Sequence, residues 1–195
     1  MSSRRRKSSL LALALAAALG MGACGDSHTK VTTGTYAGES GANAPYLDVG
    51  PLVYQAQLSR QLSPYDTEDA SYLSGLTPAQ RALSPSQEWF AVFVQVFNNG
   101  SKSSPASTNL TISDTRGNVY SPVIPEGTNL YAFRGGGVPA EGRLPVADST
   151  AATGPTQGAL LLYKIQIASL DNRPLKFTVV NPADAAQKAT AELDV

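Results

Sequence analysis

Apolar and polar residues alternate with a period of two over much of this chain, and that pattern predicts strands rather than helices. In PLVYQAQL, Leu52, Tyr54, Ala56 and Leu58 alternate with Val53, Gln55 and Gln57. EWFAVFVQVFNN is apolar on both sides: Phe90, Val92, Val94 and Val96 share one face, and Trp89, Ala91, Phe93 and Phe97 share the other. Such a strand needs cover above and below and is expected at the centre of a sheet, with Asn98-Asn99-Gly100 as its turn. TNLTISDT and NVYSPVI read as a hairpin turning at Gly117, and GALLLYKIQIA, LKFTVVN and KATAELDV supply three later strands. Thr77-Pro78 is an N-cap followed by a first-turn proline, which predicts one short helix from Pro78 to about Leu83, ended by Pro85. Between Pro125 and Gly158 the triple glycine 135–137 and repeated prolines predict a surface loop, with NLYAF pairing briefly at a sheet edge.

About seven strands and one short helix predict an all-β chain, an immunoglobulin-like Greek-key β-sandwich, with a closed barrel as the alternative architecture. The chain has one cysteine, so no intersheet disulfide can form, and packing around Trp89 is expected in its place.

The pattern changes at the N-terminus. Arg4-Arg5-Arg6-Lys7 is followed by an apolar run from Leu10 to Met21 and by the small residues Gly22 and Ala23. This is the order of a secretory leader, and the run is short of the ~20 residues a membrane-spanning helix needs. M-G-A-C resembles the lipobox of bacterial lipoprotein precursors, which implies a leader over 1–23 and diacylation of Cys24 as the first mature residue. A plain secretory cleavage that leaves Cys24 a free thiol is the other reading. Two acyl chains, each stabilised by about 0.8 kcal/mol per buried methylene, hold a protein on a membrane. The expected location is the extracytoplasmic face of the cell membrane, reached by Sec export, with twin-arginine export as the alternative.

Cleavage after residue 23 of 195 leaves 172 residues, enough for one domain with its own core. Four of the 15 basic residues lie in the leader, so the mature chain sets 11 Lys and Arg against 15 Asp and Glu, a net charge of −4. That balance argues against nucleic acid. Residues 24–45 are mostly small and polar and read as a flexible tether, with the sandwich over 46–195; a flexible chain of that length spans ~25 Å. His28, the single histidine, falls in the tether and reads as solvated.

WFAVFVQVFNNGSKSSPAS, then LTISDTRGNVYSPV with its D-x-x-G-x-x-Y pattern, and later GALLLYKIQIASLDNRPLKFTVVNP resemble immunoglobulin-like lipoprotein domains of unknown function from Gram-positive and actinobacterial envelopes. These in turn are similar in fold to secreted mycobacterial immunogenic proteins. The resemblance spans roughly residues 50 to 195; it implies a sandwich and an envelope location and brings no catalytic residues. The stretch from Arg60 to Leu83 departs from the minimal pattern and is a candidate for function of its own.

With one histidine and one lipid-bearing cysteine, no His- or Cys-based triad can be assembled, and no metal or other cofactor is implied. Asp66, Glu68 and Asp69, beside Tyr65 and Arg60, are the remaining chemical candidates. They could form a glycosidase-like carboxylate pair or a set of calcium ligands, or they could cap a helical turn and pair with Arg60 or Arg81. Arg134 beside the triple glycine, and Asn172-Arg173-Pro174, are recognition candidates that turn chemistry also explains. Tyr46, Tyr65, Tyr72 and Tyr131 are candidate exposed aromatics for a protein or carbohydrate ligand. These signals favour a non-catalytic envelope module that binds a protein or a cell-wall glycan, with a carboxylate-dependent hydrolase using residues 66–69 as the alternative.

Overall fold

The computed structural model describes residues 29–33 and 46–193. The expected leader, Cys24 and His28 lie outside the described residues. In chain order the elements are β1 (Thr29–Thr33), β2 (Tyr46–Val49), β3 (Leu52–Leu62), α1 (Thr67–Tyr72), α2 (Pro78–Arg81), β4 (Gln87–Asn98), β5 (Ser104–Ala106), β6 (Leu110–Ser113), β7 (Val119–Tyr120), β8 (Gly136–Val138), β9 (Arg143–Leu144), α3 (Thr150–Thr153), β10 (Ala159–Gln166), β11 (Leu175–Asn181) and β12 (Asp184–Leu193), with a 3-10 turn at Ile167–Leu170.

Two sheets face each other. The first has the order β1-β12-β11-β6-β7, and the second the order β10-β4-β3-β2, with β9 added beside the end of β4. All pairs are antiparallel except β1 with β12. β4 and β10 are neighbours in one sheet, β6 and β11 in the other, and the chain visits them in the order β4, β6, β10, β11. That interlocked crossing is the Greek key of an immunoglobulin-like sandwich. The long strands fall where the alternation predicts them. The short ones (β2, β5, β8 and β9) have too few residues for a period to be read, and together with β1 they bring the expected seven strands to twelve among the described residues. β1 lies inside the segment expected to be a tether, and NLYAF pairs at a single parallel bridge, Ala132 with Leu160.

The sandwich core is filled by the inward faces of both sheets, including Tyr54, Phe90, Val92, Tyr163, Ile165 and Phe177, all essentially inaccessible. A second core lies on the outer side of the β10-β4-β3-β2 sheet, where Trp89, Ala91 and Phe93 of β4 and Leu160 and Leu162 of β10 meet Leu62, Tyr72, Leu73 and Leu76. The two apolar faces of β4 are thus both spent, one on the facing sheet and one on the segment that carries α1 and α2. β3 changes allegiance partway: a bulge between Ala56 and Leu58 adds a residue, so Leu58 joins the outer core instead of continuing the inward row begun by Leu52, Tyr54 and Ala56.

The roof over the second core is tied at both ends. Asp66 caps α1, and Thr77 and Gln80 form a reciprocal capping box on α2, which ends at Arg81 rather than Leu83. The Gly127 N–H donates to the Gly75 carbonyl at 2.9 Å. Gly75 has φ +73°, and a Cβ there would lie 2.7 Å from the Thr128 carbonyl oxygen, so only glycine fits this approach. Asn129 completes the join, its side-chain amide donating to the carbonyls of Tyr72 (2.8 Å) and Ser74 (2.9 Å).

Truncating Leu73, 1% exposed in the second core, to alanine is expected to cost about 2–5 kcal/mol of folding stability. Tyr65→Ala, at a position 96% exposed, should stay within about 0.5 kcal/mol. Denaturant unfolding of the two variants beside the parent chain checks this, and equal small effects would contradict a packed second core.

Candidate functional site

The acidic cluster and Arg60 do meet, at the edge of the roof. Asp66 accepts at Oδ1 from the backbone N–H groups of Glu68 (2.9 Å) and Asp69 (3.1 Å), the N-cap role its spacing allowed. Asp69, 5% exposed, takes the Arg60 guanidinium on Oδ1 and the Ser63 N–H on Oδ2 at 2.8 Å. Glu68 Oε1 lies 3.5 Å from the same guanidinium and accepts the Tyr72 hydroxyl at 3.0 Å. Arg60 also stands over the Tyr72 ring, 5.8 Å from its centre. Burial works to lower the Arg60 pKa, but the Asp69 hydrogen bond and the charges of Asp69 and Glu68 outweigh it and raise it. Burial likewise lifts the Tyr72 hydroxyl above its ordinary value. Every carboxylate of the trio is therefore engaged in capping or ion pairing. Arg81, the other cation considered for them, instead donates to the Leu73 carbonyl at 3.0 Å.

The remaining candidates separate. Tyr65 projects into solvent, while Tyr72 is fully buried and Tyr131 half-buried, their rings edge to face at 4.8 Å. Tyr72 and Tyr131 thus contribute to the second core and its rim rather than to an exposed aromatic surface. Arg134 donates to the carbonyls of Pro125 (3.1 Å) and Gly127 (2.8 Å), holding the loop that abuts the roof. Arg173 donates from Nε to the Leu170 carbonyl at 2.8 Å, closing its own turn. Arg60, Asp66, Glu68 and Asp69 form one cluster; Tyr131, Arg134 and Arg173 lie apart from it. Among the described residues no three His, Cys, Asp or Glu side chains are grouped to hold a metal ion, and no helix is long and apolar enough to cross a membrane.

One polar network was readable only as a turn. Asp114, 6% exposed, accepts from the backbone N–H groups of Arg116 and Asn118 (both 2.9 Å), the Asn118 side-chain amide (2.7 Å) and the Ser169 hydroxyl (2.7 Å). The Tyr120 hydroxyl lies 2.6 Å from Ser169 Oγ. Gly117, at φ +86°, makes the tight turn between β6 and β7 possible. The Asp114, Gly117 and Tyr120 positions of D-x-x-G-x-x-Y thus lock that hairpin to the 3-10 turn before β11. Burial by itself would raise the Asp114 pKa, but the hydrogen bonds from Asn118 and Ser169, with those from the backbone, bring it down to about 2.

A two-sheet immunoglobulin-like sandwich whose charged candidates are committed to caps, ion pairs and loop clasps is what fold and site together define. No protein-family model matches the sequence, and no curated protein matches it. Among solved structures, the chain is similar to the yjhA protein of Bacillus subtilis (12% identity, TM-score 0.49, 77% of this chain and 97% of that one). It is also similar to a functionally unknown protein of Listeria monocytogenes (12%, 0.48, 80% and 84%). A third is the ycdA protein of B. subtilis, provisionally named a lipoprotein (13%, 0.46); 76% of this chain matches, spanning 38% of that longer one. Likeness at this level carries no functional assignment, and the sandwich rests on the strand pairings themselves.

Because the Asp114 pKa falls from 3.8 to about 2 on folding, the carboxylate contributes about 2 kcal/mol above pH 5, and the contribution is lost as pH drops toward 2. Asp114→Asn turns an amide toward the donors on Ser169 and Asn118 and should cost about 1–3 kcal/mol at pH 7. Urea melts from pH 7 to pH 2 should show the gap to the parent chain closing below pH 4; a gap independent of pH would contradict the assignment.

Proposed function

We propose that this chain is a non-catalytic, lipid-anchored protein of the bacterial envelope, held to the membrane through Cys24, whose sandwich serves as a binding module. The observation that carries the non-catalytic part is the state of the acidic cluster. Asp66 caps α1, and Glu68 and Asp69 flank one guanidinium, so no two of them are left to face a substrate as acid and base. The anchor rests on the lipobox-like M-G-A-C behind a charged and then apolar leader. Kinship with the actinobacterial envelope domains and mycobacterial immunogenic proteins belongs to the same reading, supported by the D-x-x-G-x-x-Y pattern.

Expression in a bacterial host is expected to place the parent chain in the membrane fraction with an acyl-bearing N-terminal cysteine by mass spectrometry. Cys24→Ala should be recovered soluble outside the cytoplasm. A membrane-bound Cys24→Ala chain would remove the anchor. Turnover of a polysaccharide by the full chain that Asp66→Asn or Glu68→Gln abolishes would replace the binding module with a hydrolase.

A further inference from the structure

The segment expected as a tether over 24–45 contains β1, and this shortens the link between Cys24 and the sandwich. Four residues, Gly25 to His28, separate Cys24 from Thr29, and whatever path they take they reach at most about 18 Å. Thr29 lies beside Lys188 and Thr33 beside Glu192, so β1 runs parallel to β12 and away from the β11–β12 turn. Along β12, Lys188 is about 13 Å from Asp184 at that turn and about 17 Å from Leu193 at the other end. A chain continued backwards from Thr29 in the strand direction therefore clears the β11–β12 end within its reach. To clear the opposite end it would have to double back over the whole 17 Å, which leaves no length for the reversal.

From this register we infer that the sandwich stands on the membrane on its β11–β12 end, against the phospholipid headgroups, with the roofed end turned outward; the inference rests on the Cys24 anchor. Four turns meet at the membrane end. A Cβ on Gly50, in the β2–β3 turn, would stand 2.5 Å from Nδ2 of Asn181 at the β11–β12 turn, so these two turns adjoin. Leu52 pairs with Asn98, which brings the end of β4 alongside them. The Asn98 amide donates to the Lys102 carbonyl (2.8 Å) and the Glu141 N–H to the Gly100 carbonyl (3.1 Å), which ties in the 99–103 and 139–142 turns. The four turns are built of Gly, Pro, Ala, Ser and Asn, with Lys102 set against Glu141 and Asp184. None of the exposed large apolar side chains among the described residues falls in them. Such a surface neither inserts into hydrocarbon nor needs anionic lipid, so the acyl chains are what keeps it at the headgroups. At the other end Tyr65, Val119 and Ile167 are 96%, 64% and 48% exposed. They would enter the bilayer if that end met it, and the short reach from Cys24 to Thr29 keeps them away.

The test uses the acylated full chain in vesicles of zwitterionic phosphatidylcholine that carry a headgroup-linked energy-transfer acceptor. Acylated Cys24 has no free thiol, so a donor dye is placed singly on Ala185→Cys at the membrane end or on Tyr65→Cys at the roofed end, both exposed positions. The 11 residues of β3 span about 36 Å between the two ends, so the Ala185→Cys donor is expected at least about 20 Å nearer the acceptor layer, in low and high salt alike. Lys30→Pro combined with Val31→Pro removes a ladder donor from β1, because successive N–H groups point to opposite sides of a strand. Freeing β1 in this way is expected to reduce the difference between the two donors by at least half. Circular dichroism confirms that each variant is folded. Equal distances for the two donors, a Tyr65→Cys donor nearer the membrane, or a difference untouched by the paired prolines would overturn the standing orientation while leaving the anchor in place. An unacylated Cys24, or a chain that does not stay with the vesicles, would overturn the anchor itself.

Discussion

The interaction on which the rest depends is the burial of both faces of β4. Phe90, Val92, Val94 and Val96 point into the sandwich, and Trp89, Ala91 and Phe93 point out of it, all at or below 1% exposure. Each large side chain buried is worth about 1.5–3 kcal/mol. A two-sheet sandwich covers only one of these faces, so the chain must supply a second cover. It does so with the segment between β3 and β4, which leaves the sheet at Leu62 and returns to it at Gln87.

That requirement explains the chemistry around the roof. The segment is too short for long helices, so its turns are fixed individually by the Asp66 cap and the Thr77–Gln80 box. Its edge is pinned to β3 by Arg60 reaching Asp69 and Glu68, and its far side is clasped by Asn129 and by the Gly75–Gly127 approach. Charged residues that look reactive as a list are, in place, the fastenings of an apolar lid. The Asp114 network does the corresponding work at the edge of the opposite sheet, joining the β6–β7 hairpin to the turn before β11.

Much of this is legible in the sequence. β4 announces its central place by being apolar at successive positions, β10 announces itself by a similar apolar run, and β6, β11 and β12 announce theirs by alternation. The D-x-x-G-x-x-Y turn is visible as a pattern, but its link to Ser169 is not, because 55 residues separate Ser169 from Asp114. The β3 bulge is hidden for a related reason: PLVYQAQL reads as one unbroken alternation, and the extra residue declares itself only in the register with β4. Tyr72 and Tyr131 look like exposed aromatics because nothing local reports that α1 turns inward over the sheet.

If β4 needs both covers, the roof and the sandwich form one cooperative unit. Native-state amide hydrogen exchange reports this directly, since each amide reveals the free energy of the opening that exposes it. The account predicts that Leu73 and Gly127, whose N–H groups bond to Asp69 and Gly75, exchange through the same global opening as the amides at the middle of β4. Exchange of the roof amides at a far lower opening energy, with β4 still fully protected, would contradict it.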